Sequence, residues 1–245
     1  MKLMRNYLSH TVLPLAALLL AIAGGAVKGD DARAGSAADA LAAHLAFMKD
    51  IRAIETRFAC EKRLEALESQ LVSFGVIWIG RPDSVRFSTQ KPYLSELILH
   101  DGKVLTRNQH EPKWSRANQS SRPGLAAVMG QLAAWSIGET ASIARFYQVS
   151  EAAGEVPAGP AGPDQPRTDA APAKVEPVDL YLLKPVDKAV AEVIRGIQLG
   201  IGRESHALQY VLIITAQGDE TRYWFRDVRL NADLPPRVFA PEDAK

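Results

Sequence analysis

The residues of this chain able to do covalent chemistry or bind a metal are few and stand apart from one another. His44, His100, His110 and His206 could each act as a general base or a ligand, but none lies at ligand spacing from another. Cys60 is the only cysteine, so no internal disulfide is possible, and its setting reads as a small buried side chain of a strand. Gly-x-Ser-x-Gly, His-Glu-x-x-His, paired cysteines and a glycine-rich phosphate loop are all absent from the sequence. The expectation is therefore a protein that is not an enzyme and holds neither metal nor cofactor.

What the sequence offers instead is apolar surface. From Val72 to Leu105 it predicts strands at Val72–Gly80, Val85–Gln90, Leu94–His100 and Lys103–Thr106, punctuated by Arg81-Pro82-Asp83, Lys91-Pro92 and Asp101-Gly102. A two-residue Asp-Gly connection between apolar runs is a hairpin signal. Val76-Ile77-Trp78-Ile79 is apolar on both faces, so both must be covered there. Phe87, Leu97 and Leu99 continue one apolar face, and Arg86, Ser88, Gln90 and Glu96 supply polar positions on the other.

The 245 residues carry a net charge of +1 and are 47% hydrophobic, an ordinary globular balance with no basic stripe for nucleic acid. Residues 1–34 have the layout of a secretory signal peptide: Lys2 and Arg5, an apolar run from Thr11 to Val27, then small residues, with cleavage expected after Ala26 or Ala34. An uncleaved anchor is the alternative. No cysteine lies near the end of the run, so the mature protein is expected to be soluble and to carry no lipid of its own.

In residues 35–245, read as one domain, Ser36–Arg57 predicts a helix with Leu41, Leu45, Met48 and Ile51 on one face, and Phe58–Glu65 starts the first strand. Arg107–Arg122 predicts a weak strand or two and a loop. Pro123 opens a helix with Leu125, Val128, Met129, Leu132 and Trp135 on one face, ended by Gly138, and Thr140–Phe146 forms a second with Ile143. Residues 151–177 hold six of the fifteen prolines and read as a flexible insertion. Four strands follow, at Val178–Lys184, about Ala191–Ile201, Ala207–Ala216 and Thr221–Leu230. In the second, Val193, Ile197, Leu199 and Ile201 share a face; in the third, Leu208, Tyr210, Leu212 and Ile214 oppose Val211 and Ile213. The fold class is mainly β with α, an antiparallel sheet of eight or more strands that curls into an incomplete barrel. Such a sheet either encloses a cavity for an apolar ligand or is plugged by the helices as ordinary core.

Trp78-Ile79-Gly80-Arg81-Pro82-Asp83, then Phe87, Pro92 and Asp101-Gly102-Lys103, resemble the signature of the LolA family of outer-membrane lipoprotein carriers. Asp179-Leu180-Tyr181-Leu182-Leu183-Lys184-Pro185, Gly218-Asp219-Glu220-Thr221 with Phe225, and Asn231 before Phe239 extend the resemblance over nearly the whole mature chain. The chain departs from it at Phe58-Ala59-Cys60, at Leu105-Thr106-Arg107-Asn108 and in the long insertion. The resemblance implies a half-barrel closed by a helical lid, in a soluble monomeric periplasmic carrier of acyl chains from inner to outer membrane. The cargo would be an acylated lipoprotein or lipid, the donor an inner-membrane ABC-type or other exporter, and the acceptor an outer-membrane receptor or membrane.

By position, Arg81 would latch the lid. Val76, Trp78, Phe87, Leu97, Leu99, Leu199 and Leu212 would line the acyl cavity, and Leu41, Leu45, Met48, Leu125, Met129, Leu132, Trp135 and Ile143 would belong to the lid. A carrier of a glycolipid or other acyl conjugate, or a periplasmic sensor of the RseB type, shares these features.

Overall fold

The computed structural model describes residues 32–65, 70–116, 135, 138, 141–162 and 176–241. Eleven strands form one antiparallel sheet: β1 Ala53–Arg63, β2 Leu71–Gly80, β3 Ser84–Lys91, β4 Ser95–His100, β5 Lys103–Asn108, β6 Ser115–Arg116, β7 Tyr147–Glu151, β8 Val178–Pro185, β9 Ile194–Gly202, β10 Leu208–Thr215 and β11 Glu220–Leu230. Their spatial order is β6-β5-β4-β3-β2-β1-β11-β10-β9-β8-β7. Two meanders are thus joined where β1 pairs with β11, along a register running from Ile54↔Leu230 to Arg63↔Glu220. The edges β6 and β7 are not paired with each other, so the sheet stays an open half-barrel. At the β4–β5 turn Asp101 and Gly102 both take positive φ, the conformation a two-residue hairpin needs.

Alternation along the strands divides the sheet into two apolar faces. The inner face gathers Ile54 and Phe58 of β1, Ile77 and Ile79 of β2, Val85 and Phe87 of β3, Leu97 of β4, Leu183 of β8, Leu199 and Ile201 of β9 and Val211 and Ile213 of β10 into one cluster. That contiguity across the whole sheet reflects its curl. Helix α1, Ala32–Phe47, lies beside β7 and packs Ala37, Leu41 and Leu45 into the same cluster, with Met48 from the following 3-10 turn, Met48–Asp50. Two shorter helices are α2, Ala141–Phe146, and α3, Lys188–Ala191.

The first helix ends ten residues before the expected Arg57. Ile51, Ile54 and Thr56 are β-branched, and from Ala53 the chain finds hydrogen-bonding partners on both sides, β2 and β11, which outweigh the helical spacing. The strand expected from Ala191 begins instead at Ile194, because Asp187 caps a helical turn by accepting from the Val190 N–H at 3.0 Å. In β10 a bulge between Leu208 and Tyr210 returns Leu208 to the face of Val211, against the uninterrupted alternation expected. The expected helix from Pro123, with Leu125, Val128, Met129 and Leu132, lies outside the described residues.

The outer face is covered by chain that read as having nothing to bury. Ala59, Leu180, Tyr210 and Trp224 form a second buried cluster, against which Ala152 and Val156 pack. Residues 152–162 run as a strap across the sheet. The Ala152 N–H donates to the Leu180 carbonyl at 2.8 Å, Trp224 Nε1–H to the Pro157 carbonyl at 2.8 Å, and Arg226 Nη2 to the Pro160 carbonyl at 3.3 Å. A Cβ on Gly159 would sit 2.8 Å from the Trp224 ring, so only glycine lets the strap lie this close. The expectation of a wholly flexible insertion is corrected for this part: proline-rich backbone keeps few N–H groups to satisfy, and its carbonyls accept from the two long side chains of β11. Residues 163–175 lie outside the described residues.

Candidate functional site

The inner face and α1 make the candidate site, and polar contacts tie α1 down towards its C-terminal end on two sides. On the first, Arg81, in the turn after β2, donates from Nε to the Ile51 carbonyl at 2.8 Å and from Nη2 to the Met48 carbonyl at 3.3 Å. The Met48 carbonyl belongs to the 3-10 turn that extends α1 and the Ile51 carbonyl to its C-cap, where a guanidinium meets the negative end of the helical dipole. The Arg81 N–H donates to the Arg52 carbonyl at 3.0 Å, and the Arg52 N–H to Asn231 Oδ1 at 2.8 Å, so the helix–strand junction is fixed by both meanders.

On the second side His44 reaches the β8–β10 half of the sheet. Its Nδ1 lies 2.8 Å from Nδ1 of His206 in the β9–β10 turn, and its Nε2 lies 3.2 Å from Asp179 Oδ2. Arg203 Nε donates to the other oxygen of Asp179 at 2.7 Å, and the Phe47 ring lies 4.5 Å from that of His206. His206 holds φ at +56°, in the left-handed region that histidine enters more readily than most side chains. His44 thus bridges His206 and Asp179, and the geometry of the group is that of a clasp between α1 and the sheet.

Of the residues expected to line a cavity, Phe87, Leu97, Leu99 and Leu199 lie on the face that α1 covers. Val76, Trp78 and Leu212 do not. Strand parity sets Ile77 and Ile79 inward, which turns Val76 and Trp78 outward, and Leu212 packs against Tyr210 and Trp224 under the strap. Both faces of Val76-Ile77-Trp78-Ile79 are covered, as its apolar run requires; the cavity-lining role of Val76 and Trp78, implied by the resemblance, is corrected by strand parity. Leu41, Leu45, Met48, Trp135 and Ile143 are in the inner cluster, and Leu125, Met129 and Leu132 lie outside the described residues.

The outward Trp78 adjoins a buried ionic group built from Arg86 and Glu96, two of the polar positions expected on that face. Glu96, whose side chain is 4% exposed, accepts from Arg86 Nη2 at 2.7 Å and from Arg107 Nε. Arg86 also donates from Nη1 to the Val238 carbonyl at 3.0 Å and lies 5.7 Å from the Trp78 ring centre; Arg107 lies 4.7 Å over Trp114. Val238 is in a 3-10 turn, Pro236–Phe239, that covers β3 and β4 from outside. Burial pushes the Glu96 carboxyl up, but the hydrogen bonds and charges of Arg86 and Arg107 outweigh it and hold the group below the usual carboxylate range.

The remaining chemical candidates are inert or engaged. Burial pushes the Cys60 thiol up to about 11, so almost no thiolate exists at neutral pH. His100 Nδ1 lies 2.6 Å from Ser84 Oγ, and its ring stacks on Phe239. With Asp83 and Asp101 it forms an exposed grouping of a kind common without a metal. Among the described residues no helix is long and apolar enough to cross a membrane.

Comparison with known proteins gives structures alone. Neither a family model nor a curated protein matches the chain. Among similar solved structures is MucB, 15% identical, covering 85% of this chain with a TM-score of 0.42; the chain spans 64% of its length. A LolA superfamily protein from Nitrosomonas europaea is 9% identical, with 84% and 98% of the two chains covered and a TM-score of 0.38. The lipoprotein LppX from Mycobacterium tuberculosis is 10% identical, with 80% and 98% covered and a TM-score of 0.46.

Proposed function

We propose that the chain is an exported carrier that shields an acyl chain between α1 and the inner face of the half-barrel. The observation that carries this reading is how α1 is held. It covers the apolar inner face with Leu41, Leu45 and Met48, and polar contacts from Arg81 and His206 tie it down. Apolar contact is non-directional, so an acyl chain can take the place of the three side chains while the polar contacts set when the helix opens.

Magnitudes agree with this. Exposing Leu41, Leu45 and Met48 costs about 2 kcal/mol each, or about 6 kcal/mol together. At about 0.8 kcal/mol per methylene, roughly eight methylenes offset that cost. Long acyl chains exceed it and short ones do not, which suits a protein that must ignore small apolar metabolites. The finer reading follows the sequence resemblance: cargo is an acylated lipoprotein or related lipid, taken up at the inner membrane and released at the outer membrane, with an exporter as donor and a receptor or the membrane itself as acceptor. Delipidated protein is expected to take up a fluorescent hexadecanoyl probe at one per chain, measured by titration. Absence of saturable uptake contradicts the proposal.

A further inference from the structure

Two buried donors near α1 have no acceptor among the described residues. Trp135 is 2% and Tyr147 5% exposed, both in the inner cluster with Leu45 and Met48, and neither the indole Nε1–H nor the phenol oxygen has a hydrogen-bond partner. Their rings meet edge to face, 6.4 Å between centres. Gly138, at φ +84°, passes so near α1 that a Cβ there would lie 2.1 Å from the Leu45 carbonyl oxygen. Leaving a buried polar group unpaired costs about 1–3 kcal/mol, and native proteins rarely leave two side by side. Burial also raises the Tyr147 hydroxyl above its ordinary value, which keeps it a neutral donor.

We infer that Trp135 and Tyr147 form a polar subsite for the carbonyl oxygen of an acyl ester or amide, so that cargo is recognised at the head of its chain as well as along its length. This rests on the carrier reading and adds a selectivity to it. A neutral carbonyl accepts from N–H and O–H without bringing a charge into the cluster. The one buried cation among the described residues, Arg86, is on the outer face and pairs with Glu96, so a free carboxylate at this place would be buried unpaired, which is strongly disfavoured. Ester and amide share this chemistry: the ester comes from a glycerolipid or diacylglyceryl group, the amide from an N-acylated terminus.

The test compares binding of methyl hexadecanoate, N-methylhexadecanamide, hexadecanoate and heptadecane to the full mature chain, as wild type and Tyr147→Phe. The wild type is expected to bind the ester, the amide or both about tenfold more tightly than the hydrocarbon and hexadecanoate, the preferred head naming the source. Tyr147→Phe is expected to remove most of that preference, to leave hydrocarbon binding unchanged and, when empty, to melt no lower than wild type, because the lost hydroxyl was unpaired. Equal binding of ester, amide and hydrocarbon by wild type, or an unaltered preference in Tyr147→Phe, overturns the subsite while the carrier reading stands. Failure of every probe to bind wild type overturns both.

Discussion

Glu96→Ala is expected to lower the unfolding free energy by about 3–5 kcal/mol, a large part of the stability of a domain this size. The reason is what it leaves behind. Arg86 and Arg107 have side chains only 11% and 16% exposed, and both donate to the one carboxylate, so its removal takes the counter-charge from the buried Arg86 guanidinium under Trp78 and takes a carboxylate from Arg107. The loss is dominated by uncompensated charge rather than by a missing contact, which makes a charge-removing double variant the informative control. Glu96→Leu with Arg86→Met is expected to recover part of the loss of either single change. The same group adds an acid dependence. Its folded-state value is depressed, so the stabilisation is complete above the unfolded carboxylate value, near pH 4.3 as an order of magnitude, and is lost as pH falls below that through the folded value. Urea titrations from pH 7 to pH 3 check it: wild type should converge on Glu96→Gln in acid, and parallel curves would refute the assignment.

Arg81→Leu is expected to separate loading from delivery. The side chain makes two charge-assisted hydrogen bonds to the end of α1, but Arg81 is an exposed residue and water competes for both, so about 1–2 kcal/mol is the scale of the loss in the closed state. That shifts the open fraction about five- to thirtyfold, and where the closed state dominates, the apparent affinity for an acyl probe rises by the same factor. A carrier that opens too readily when loaded gains nothing by closing empty, so transfer of the probe to acceptor vesicles is expected to slow by a similar factor. Arg81→Lys, a point charge without the fork, falls between. Loading and vesicle transfer are measured separately on each variant; wild-type behaviour in both assays removes the latch role.

The strands of β2 to β5 were legible to within two residues because their signals are local: Asp101-Gly102, the prolines at 82 and 92, and alternation around Phe87. The joining of β1 to β11 was not, since Ile54 and Leu230 meet across most of the chain and nothing local pairs them. Nor were the face assignments of Val76, Trp78 and Leu212, because a strand covered on both sides carries no polarity to orient it. The strap escaped because composition alone suggested disorder, whereas Trp224 and Arg226, more than sixty residues away, supply the donors for its carbonyls. Arg81 was reachable through its place in a resembling motif. His44, His206 and Asp179 were not: no spacing links them, and only the fold brings them together.

Whether the inner face receives an acyl chain by displacing α1 is measured directly by a chain-length series. Binding constants for single-chain acyl probes from hexanoyl to octadecanoyl are determined on the delipidated protein, with hydrogen exchange of the α1 amides followed in the same samples. Affinity should be undetectable for the shortest chains, then rise by about fourfold per methylene once roughly eight are exceeded. Protection of the amides from Leu41 to Phe47 should change only in the samples that bind. Affinity independent of chain length, or tight binding with α1 protection unaltered, would contradict such displacement.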